Sequence, residues 1–323
     1  MDRVAITGAT GFLGGALCRR LLAEGARVVA LGRDSQKLAA LSALGAETLM
    51  HDLSDGPPLP LGAPISHLVH CAALSSAWGK HAAFHSANVE GTRAALEFGK
   101  ANGVRRFVHI STPSIYFRFR DQLGVRESEP LPPPVNAYAA TKRAAEALVH
   151  EEAGLDTVIL RPRGLYGKGD TALLPRLLRA AQSGPLPLIR GGRAETDLTH
   201  VEDVVDAVIA ALDAPENLPV RIFNISGGQP LPVRRIAEAA AAKAGISVQW
   251  RRMPAAVVFG AARILEFGAS LHPDKPEPRV TAYGAGLFAF TQTLDLTSAR
   301  THLRWTPRID FDAGLARTFE AAA

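Results

Sequence analysis

Cysteine is scarce in this chain of 323 residues: there are two, Cys18 and Cys71. Two thiols that far apart make neither a disulfide framework nor a metal site by spacing. Both stand in apolar stretches, where a small buried thiol is the natural role. Long apolar runs are missing as well. No uncharged segment reaches the roughly 20 residues of a membrane-crossing helix. No charged-then-apolar leader precedes the first strand, so a cytoplasmic protein is expected. Aromatic residues make up only 6% of the chain, and its basic clusters are short: RR at 105–106, 234–235 and 251–252, RPR at 161–163. Without an aromatic platform between them, they argue against nucleic acid as a partner. The net charge of +5 is more economically read as a mild attraction for small anions. No internal repeat is visible, and the alanines at 321–323 read as helix filler.

Glycine is what the chain has, and three of its 29 glycines open the sequence in VAITGATGFLGGAL, at Gly8, Gly11 and Gly14. An apolar run precedes them, and Leu13, Leu17, Leu21 and Leu22 follow at helical spacing. This is a strand, a tight turn and a helix. Glycine permits the crowded backbone of such a turn, and the helix N-terminus offers free N–H groups and partial positive charge. A diphosphate suits that arrangement.

Strand-like runs then alternate with helical patterns. Strands are expected at 3–7, 27–31, 47–50, 67–71, 106–110, 157–160 and 221–225. Helices are expected at 13–23, 35–44, 88–102, 137–153, 172–182, 201–212 and 233–244. The alternation predicts an α/β fold, a doubly wound parallel sheet of Rossmann type. Ligands in such sheets bind beyond the carboxyl ends of the strands, which places Thr7, Leu31, Cys71, Ser111 and Arg161 around one crevice. Residues 1–165, together with 196–225, are expected to form the dinucleotide-binding domain. Residues 166–195 and 226–323 would form a small substrate-binding region.

In NAYAATKRAAEAL, Tyr138 and Lys142 are four apart and share one face of a helix. A tyrosine titrating near 10 is a poor proton donor or acceptor at neutral pH, and a neighbouring ammonium lowers it toward the working range. The strand at 106–110 delivers the hydroxyls of Ser111 and Thr112 to the same crevice. Either could hold a carbonyl or carbinol oxygen beside Tyr138.

TGATGFLG, STPSIY and YAATK, in this order, resemble the extended short-chain dehydrogenase/reductase superfamily, the NAD(P)-dependent epimerases and dehydratases. Further matches are HDL at 51–53, HCAA at 70–73, NVEGT at 88–92, RPRGLYGKGD at 161–170, THVEDV at 199–204 and FNISGG at 223–228. The resemblance implies catalytic roles for Thr112, Tyr138 and Lys142. Tyr138 is the general acid/base, Lys142 lowers its pKa and holds the nicotinamide ribose, and Thr112 orients the substrate oxygen. Thr112 is preferred to Ser111 because the family's hydroxyl lies four residues before the position of Tyr116. For the cofactor, the resemblance implies Gly8, Thr10, Gly11, Phe12, Leu13 and Gly14 at the turn, and Asp52 and Leu53 by the adenine. Cys71, Ala72 and Ala73 would line the dinucleotide path, with Asn88 supporting the site. Ser111, Tyr138, Lys142 and Arg163 complete the set. His51, His70 and His200 are read as satisfied structural histidines, and no metal is expected.

Cofactor choice is read after the second strand, where NAD enzymes place an acid to grip the ribose hydroxyls. Here Gly32 stands in that place and Arg33 follows, with Lys37 as helper. Glycine removes a repelling charge and arginine offers a guanidinium to a 2′-phosphate, so NADP(H) is preferred over NAD(H). Asp34 is assigned as the N-cap of the next helix.

Among the superfamily's chemistries, elimination requires an Asp-Glu pair after the catalytic Thr; this chain has Pro113 and Ser114. Sugar-nucleotide members carry an Arg where Thr196 stands here, and Arg190 or Arg193 would have to replace it. The apolar 254–290 region resembles the 3β-hydroxysteroid dehydrogenase-like branch, including bacterial reductases of 2-alkyl-3-oxoalkanoates. The expected function is therefore hydride transfer between NADP(H) and a small hydrophobic ketone or alcohol, 3-oxoacyl or steroid-like. A sugar-nucleotide epimerase or reductase and a non-catalytic dinucleotide sensor are the alternatives. Homodimer formation stays open.

Overall fold

The computed structural model describes residues 3–320, so the alanines at 321–323 lie outside the described residues. Seven strands form one parallel sheet: β1 (Arg3–Thr7), β2 (Arg27–Gly32), β3 (Glu47–Met50), β4 (His67–His70), β5 (Arg106–Ile110), β6 (Asp156–Pro162) and β7 (Ile222–Ile225). Their spatial order is β7-β6-β5-β4-β1-β2-β3, with β1 paired to β2 on one side and β4 on the other. The order reverses at β1, which opens a crevice at the carboxyl ends of β1 and β4. Helices cover both faces, so the central strands read as continuous apolar runs: Val4, Ala5 and Ile6 have no exposed surface.

One face carries α1 (Phe12–Ala23), α2 (Ser35–Ala43) and α5 (Val201–Asp213), through Leu17, Leu38 and Val204 among others. The other carries α3 (Gly91–Ala101) and α4 (Ala137–Glu151), through Ala95, Phe98 and Val149. Local chemistry starts these helices. Asp34 accepts from the Lys37 N–H at 3.0 Å and caps α2, as the sequence predicts. Asn136 accepts from the Ala139 N–H at 2.8 Å and caps α4.

A second sheet joins Gln122–Val125, Gln292–Leu294, Glu195–Thr196 and Leu231–Pro232. It draws Gln122–Val125, from within residues 1–165, against the smaller region. Beside it lie α6 (Ala255–Leu271) and α7 (Ala282–Ala289).

Some boundaries differ from the sequence reading. β4 stops at His70, leaving Cys71 in the following loop. The helix expected at 88–102 is broken: a short helix His81–His85 and a π-turn Ser86–Glu90 precede α3. The wider turn places Asn88 inward, buried, where its side chain bonds the loop after β4.

Candidate active site

The glycine turn divides its work among three residues. Gly8 adopts a left-handed φ of +66°, and a Cβ there would stand 2.7 Å from the Ala72 backbone nitrogen. Gly14 lets α1 rest against the turn, since its Cβ would overlap the Gly8 carbonyl oxygen. Gly11 is the N-cap of α1 and supplies no side-chain cap; the first turn has no acid. The leading N–H groups of α1, next to Thr10, Phe12 and Leu13, therefore lack a side-chain acceptor of their own. Uncapped N–H groups beside a cleft only glycine can form fit a diphosphate. Thr10 packs on Gly32, where a Cβ would come within 2.6 Å of its methyl group.

At the end of β2, Arg33 has 73% of its side chain exposed and donates from Nη1 to Asp52 Oδ2 at 3.0 Å. Asp52 also caps the turn Leu53–Asp55 through the Ser54 N–H. That backbone bond first, and the Arg33 bond after it, hold the carboxyl below its usual range. The two residues expected at the adenosine end therefore form one charge pair.

The end of β4 is fixed by a chain of polar contacts. Thr7 Oγ1 bonds His70 Nδ1 at 2.7 Å, and His70 Nε2 meets Thr92 Oγ1 at 3.1 Å. Burial lowers the His70 pKa to about 3, with Lys142 adding to it, so both contacts are made by a neutral ring. The Ala72 N–H also donates to Thr7 Oγ1, at 3.3 Å. Burial raises the Cys71 thiol, removing it from thiolate chemistry. Asn88 accepts from the Leu74 N–H at 2.7 Å and donates to Thr141 Oγ1 at 3.0 Å, tying the 71–74 segment, with Ala73, to α4. His51 is satisfied through the Gly56 carbonyl at 2.8 Å. His200 is only half satisfied: Nδ1 accepts from the Glu202 N–H, while buried Nε2 has no hydrogen-bond partner among the described residues. Its ring lies edge-on to Tyr166 and close to Gly167 and Gly314.

Tyr138 and Lys142 start α4 at the floor of the crevice. The Tyr138 hydroxyl lies near those of Thr112 and Ser75, and its side chain is half-buried. Burial raises its pKa to about 12; the Thr112 bond opposes the rise. The expected depression by Lys142 is thus not produced by the protein groups. Lys142 is buried, and its Nζ donates instead to the Ile110 carbonyl at 2.6 Å and approaches His109 Nε2 at 3.1 Å. Burial lowers its pKa to about 8, against the attraction of Glu146 one turn along α4. Glu146 itself is clamped by Arg161 of β6, which also donates to Tyr116.

Thr112 caps the turn Pro113–Tyr116, and its hydroxyl donates to Ser114 Oγ at 3.0 Å. Ser114 Oγ in turn lies 2.8 Å from the Tyr283 hydroxyl on α7. Ser111 Oγ is buried with no hydrogen-bond partner among the described residues. The crevice thus holds a run of hydroxyls, Tyr138, Thr112, Ser114 and Tyr283, of which the last two were not assigned from the sequence. Tyr283 follows a helix-capping Thr281, a signal for α7 but not for its contact across the fold.

Arg163 is placed differently from the other cofactor candidates. It is buried, donates from Nε to Thr196 Oγ1 at 2.9 Å and from Nη1 to Gln292, and so links β6 to the second sheet. Neither partner belongs to the glycine turn. Arg190 is held by both Asp121 oxygens, at 2.8 and 2.7 Å, and is therefore not free to replace an arginine at Thr196. Among the described residues no cluster of potential metal ligands is present.

A reversed parallel sheet, a glycine turn at an uncapped helix and a hydroxyl run ending on Tyr138 define a dinucleotide-binding enzyme fold. The chain belongs to the NAD dependent epimerase/dehydratase family, whose model matches residues 4–226. It is an NAD(P)-dependent enzyme of the short-chain dehydrogenase/reductase type. It is 32% identical over 337 residues to a 2-alkyl-3-oxoalkanoate reductase of Stenotrophomonas maltophilia, covering 99% of each chain. It is 33% identical over 320 residues to a 4-hydroxy-2-methyl-3-oxo-4-farnesyl-3,4-dihydroquinoline-1-oxide ketoreductase of Stigmatella aurantiaca, covering 97% of this chain and 94% of that one. Among solved structures it resembles the dTDP-glucose 4,6-dehydratase DesIV of Streptomyces venezuelae with NAD bound, at a TM-score of 0.75 and 24% identity, over 98% and 95% of the two chains. That likeness is one of fold.

Proposed function

We propose that this protein interconverts a ketone and a secondary alcohol on an apolar substrate, 3-oxoacyl or steroid-like, using NADP(H). Reduced nicotinamide, when bound, would supply a hydride for the carbonyl carbon. Thr112 and Tyr138 hold the carbonyl oxygen, and Tyr138 gives its proton to that oxygen as the C–H bond forms. Lys142, whose Nζ donates to the Ile110 carbonyl, would hold the nicotinamide ribose. Ser114 and Tyr283 extend the hydroxyl run and orient the substrate. The diphosphate would lie on the N–H groups of α1, lined by Gly8, Thr10, Gly11, Phe12, Leu13 and Gly14. Gly32 and the exposed Arg33 favour a 2′-phosphate, with the Asp52 bond exchanged for it.

The observation that carries the reading is the roof over the hydroxyls. Phe117 meets Tyr283 edge-on at 5.1 Å and Phe119 at 5.4 Å; Phe119 packs on Phe259 at 5.7 Å. An aromatic roof suits an acyl or ring substrate better than a nucleoside diphosphate. The ketones named for the two relatives agree with it. The test is NADPH oxidation with 3-oxoacyl and steroid ketones beside UDP- and dTDP-hexoses. Each added methylene contributes up to about 0.8 kcal/mol when buried, so kcat/KM climbs several-fold per carbon until the pocket is full. A flat series with saturable turnover of a nucleotide sugar refutes the assignment.

A further inference from the structure

Helix α6 is anomalous for a water-facing element. Of its 17 residues only Arg263 and Glu266 are charged, and only Val258 and Ala262 are buried. Its larger apolar side chains point outward: Ile264 is 73% exposed, Leu271 71%, Phe267 67% and Val257 54%. Val257, Ile264 and Leu271 recur every seven residues, one above another, and Phe267 adjoins them, so the outward side is a continuous apolar stripe. A contiguous patch of this kind marks a surface that is covered in use.

The rim of the stripe is basic. Exposed Arg251 and Arg252 lead into the helix, Arg263 borders the stripe, and Lys275 and Arg279 follow it. Of the neighbouring acids, Glu266 is turned to the Ala282 N–H, Glu277 is paired with Arg176, and exposed Asp274 lies beside His272, leaving cations in excess. We propose that α6 lies in the plane of an anionic lipid surface, its stripe buried among acyl chains and its flanking cations on the headgroups. The geometry fits an interfacial helix, and no helix among the described residues is long and apolar enough to cross a membrane. A second copy of the chain fits less well. A two-fold contact sets the patch against itself and would gather the cations of both rims around one seam. The inner side of the same helix holds Phe259 in the aromatic roof, stacked on Phe290 at 6.0 Å. Docking therefore turns the roof of the active site toward the lipid. Delivery of substrate from the membrane rests on the function proposed above; lipid binding does not, and the two fail separately.

The experiment is co-sedimentation of the full chain with phosphatidylcholine vesicles, with and without phosphatidylglycerol, at low and high salt. Wild-type protein is expected in the pellet with anionic vesicles, less so at high salt. The variant Ile264→Glu/Phe267→Glu/Leu271→Glu is expected to bind roughly tenfold less or weaker still. Its thermal unfolding should match the wild type, because the three side chains are exposed. Arg252→Glu/Arg263→Glu should retain the fold and lose the preference for anionic vesicles. Wild-type protein left in the supernatant with both compositions overturns the proposal, as does equal binding of the glutamate variant. Sedimentation velocity covers the remaining case. A dimer that the triple substitution converts to monomer, without vesicle binding, assigns the stripe to a second copy instead.

Discussion

At the scale of single residues, the chemistry rests on a tyrosine that the protein alone does not activate. Burial raises Tyr138 to about 12, and Lys142 is turned to the Ile110 carbonyl. Its hydroxyl thus stays protonated at neutral pH, the state needed to give a proton to a reduced carbonyl. Tyr138→Phe should leave dinucleotide affinity nearly unchanged and lower turnover roughly 10²–10⁴-fold, the range of a lost general acid. Steady-state kinetics beside a fluorescence titration of NADPH decide it, and near wild-type turnover would remove Tyr138 from the mechanism. Arg33 makes the complementary case for binding. Its partner, Asp52, is itself already satisfied by the Ser54 N–H, so the guanidinium can exchange. Arg33→Ala should weaken NADPH by roughly tenfold to a hundredfold and spare NADH, since only a charge-assisted contact worth about 1.5–3 kcal/mol is lost. Tighter binding of NADH than of NADPH by the wild type would reverse the cofactor preference.

At the scale of elements, the contact between β1, its turn and α1 sets the binding cleft. Gly14 is a helical residue without unusual φ; what it provides is space for the Gly8 carbonyl. Gly14→Ala must displace α1 from the turn, and overpacking of this kind costs about 1–3 kcal/mol. The expected result is a lower urea midpoint together with weakened dinucleotide binding. Gly25→Ala is an uninformative control for space, because its φ of +80° brings strain of its own; Gly260→Ala, a helical position with open space around it, is the proper one. Unchanged affinity in Gly14→Ala would show that the turn does not hold the diphosphate. The π-turn at Ser86–Glu90 is a second such device. One extra residue in that turn presents Asn88 to both Leu74 and Thr141, bracing the loop after β4 against α4.

At the scale of the molecule, the crevice is backed by buried histidines whose charge the fold refuses. His70 and His109 stack at 5.4 Å, and both have their pKa lowered by burial first and then by Lys142. The unfolded chain binds a proton on each below about 6.5, whereas the folded chain does not until about pH 3 for His70. Their contribution is therefore complete above pH 6.5 and lost as the pH falls below it. Each histidine steepens the decline by up to about 1.4 kcal/mol per pH unit. Urea unfolding at pH 7.5 and at pH 5 should show a marked loss of stability at the lower pH, and His70→Gln should reduce the difference. An identical pH dependence in that variant would show that His70 is charged in the fold.

The local signals in the sequence determined a good deal. A glycine triplet between an apolar run and a leucine period, a Tyr and Lys one turn apart, and strands alternating with helices are patterns written within a few residues of one another. Turn chemistry and side-chain period act at that range, so the alternation of strands and helices and the α1 turn follow from them with little freedom left. Only the tertiary structure decided the rest. Ser114 meets Tyr283 across 169 positions of the chain, and no spacing announces such a contact. Arg163 looks in sequence like part of a motif beside the cofactor, and only the fold shows that it also ties β6 to the second sheet through Thr196 and Gln292. Lys142 has the spacing to act on Tyr138, and only the fold shows that its Nζ also donates to the Ile110 carbonyl at the end of β5. For α6 the sequence states that the helix is apolar and is silent on which side faces out. Hydrophobicity is a property of the side chain, whereas burial depends on what other parts of the chain come to rest against it.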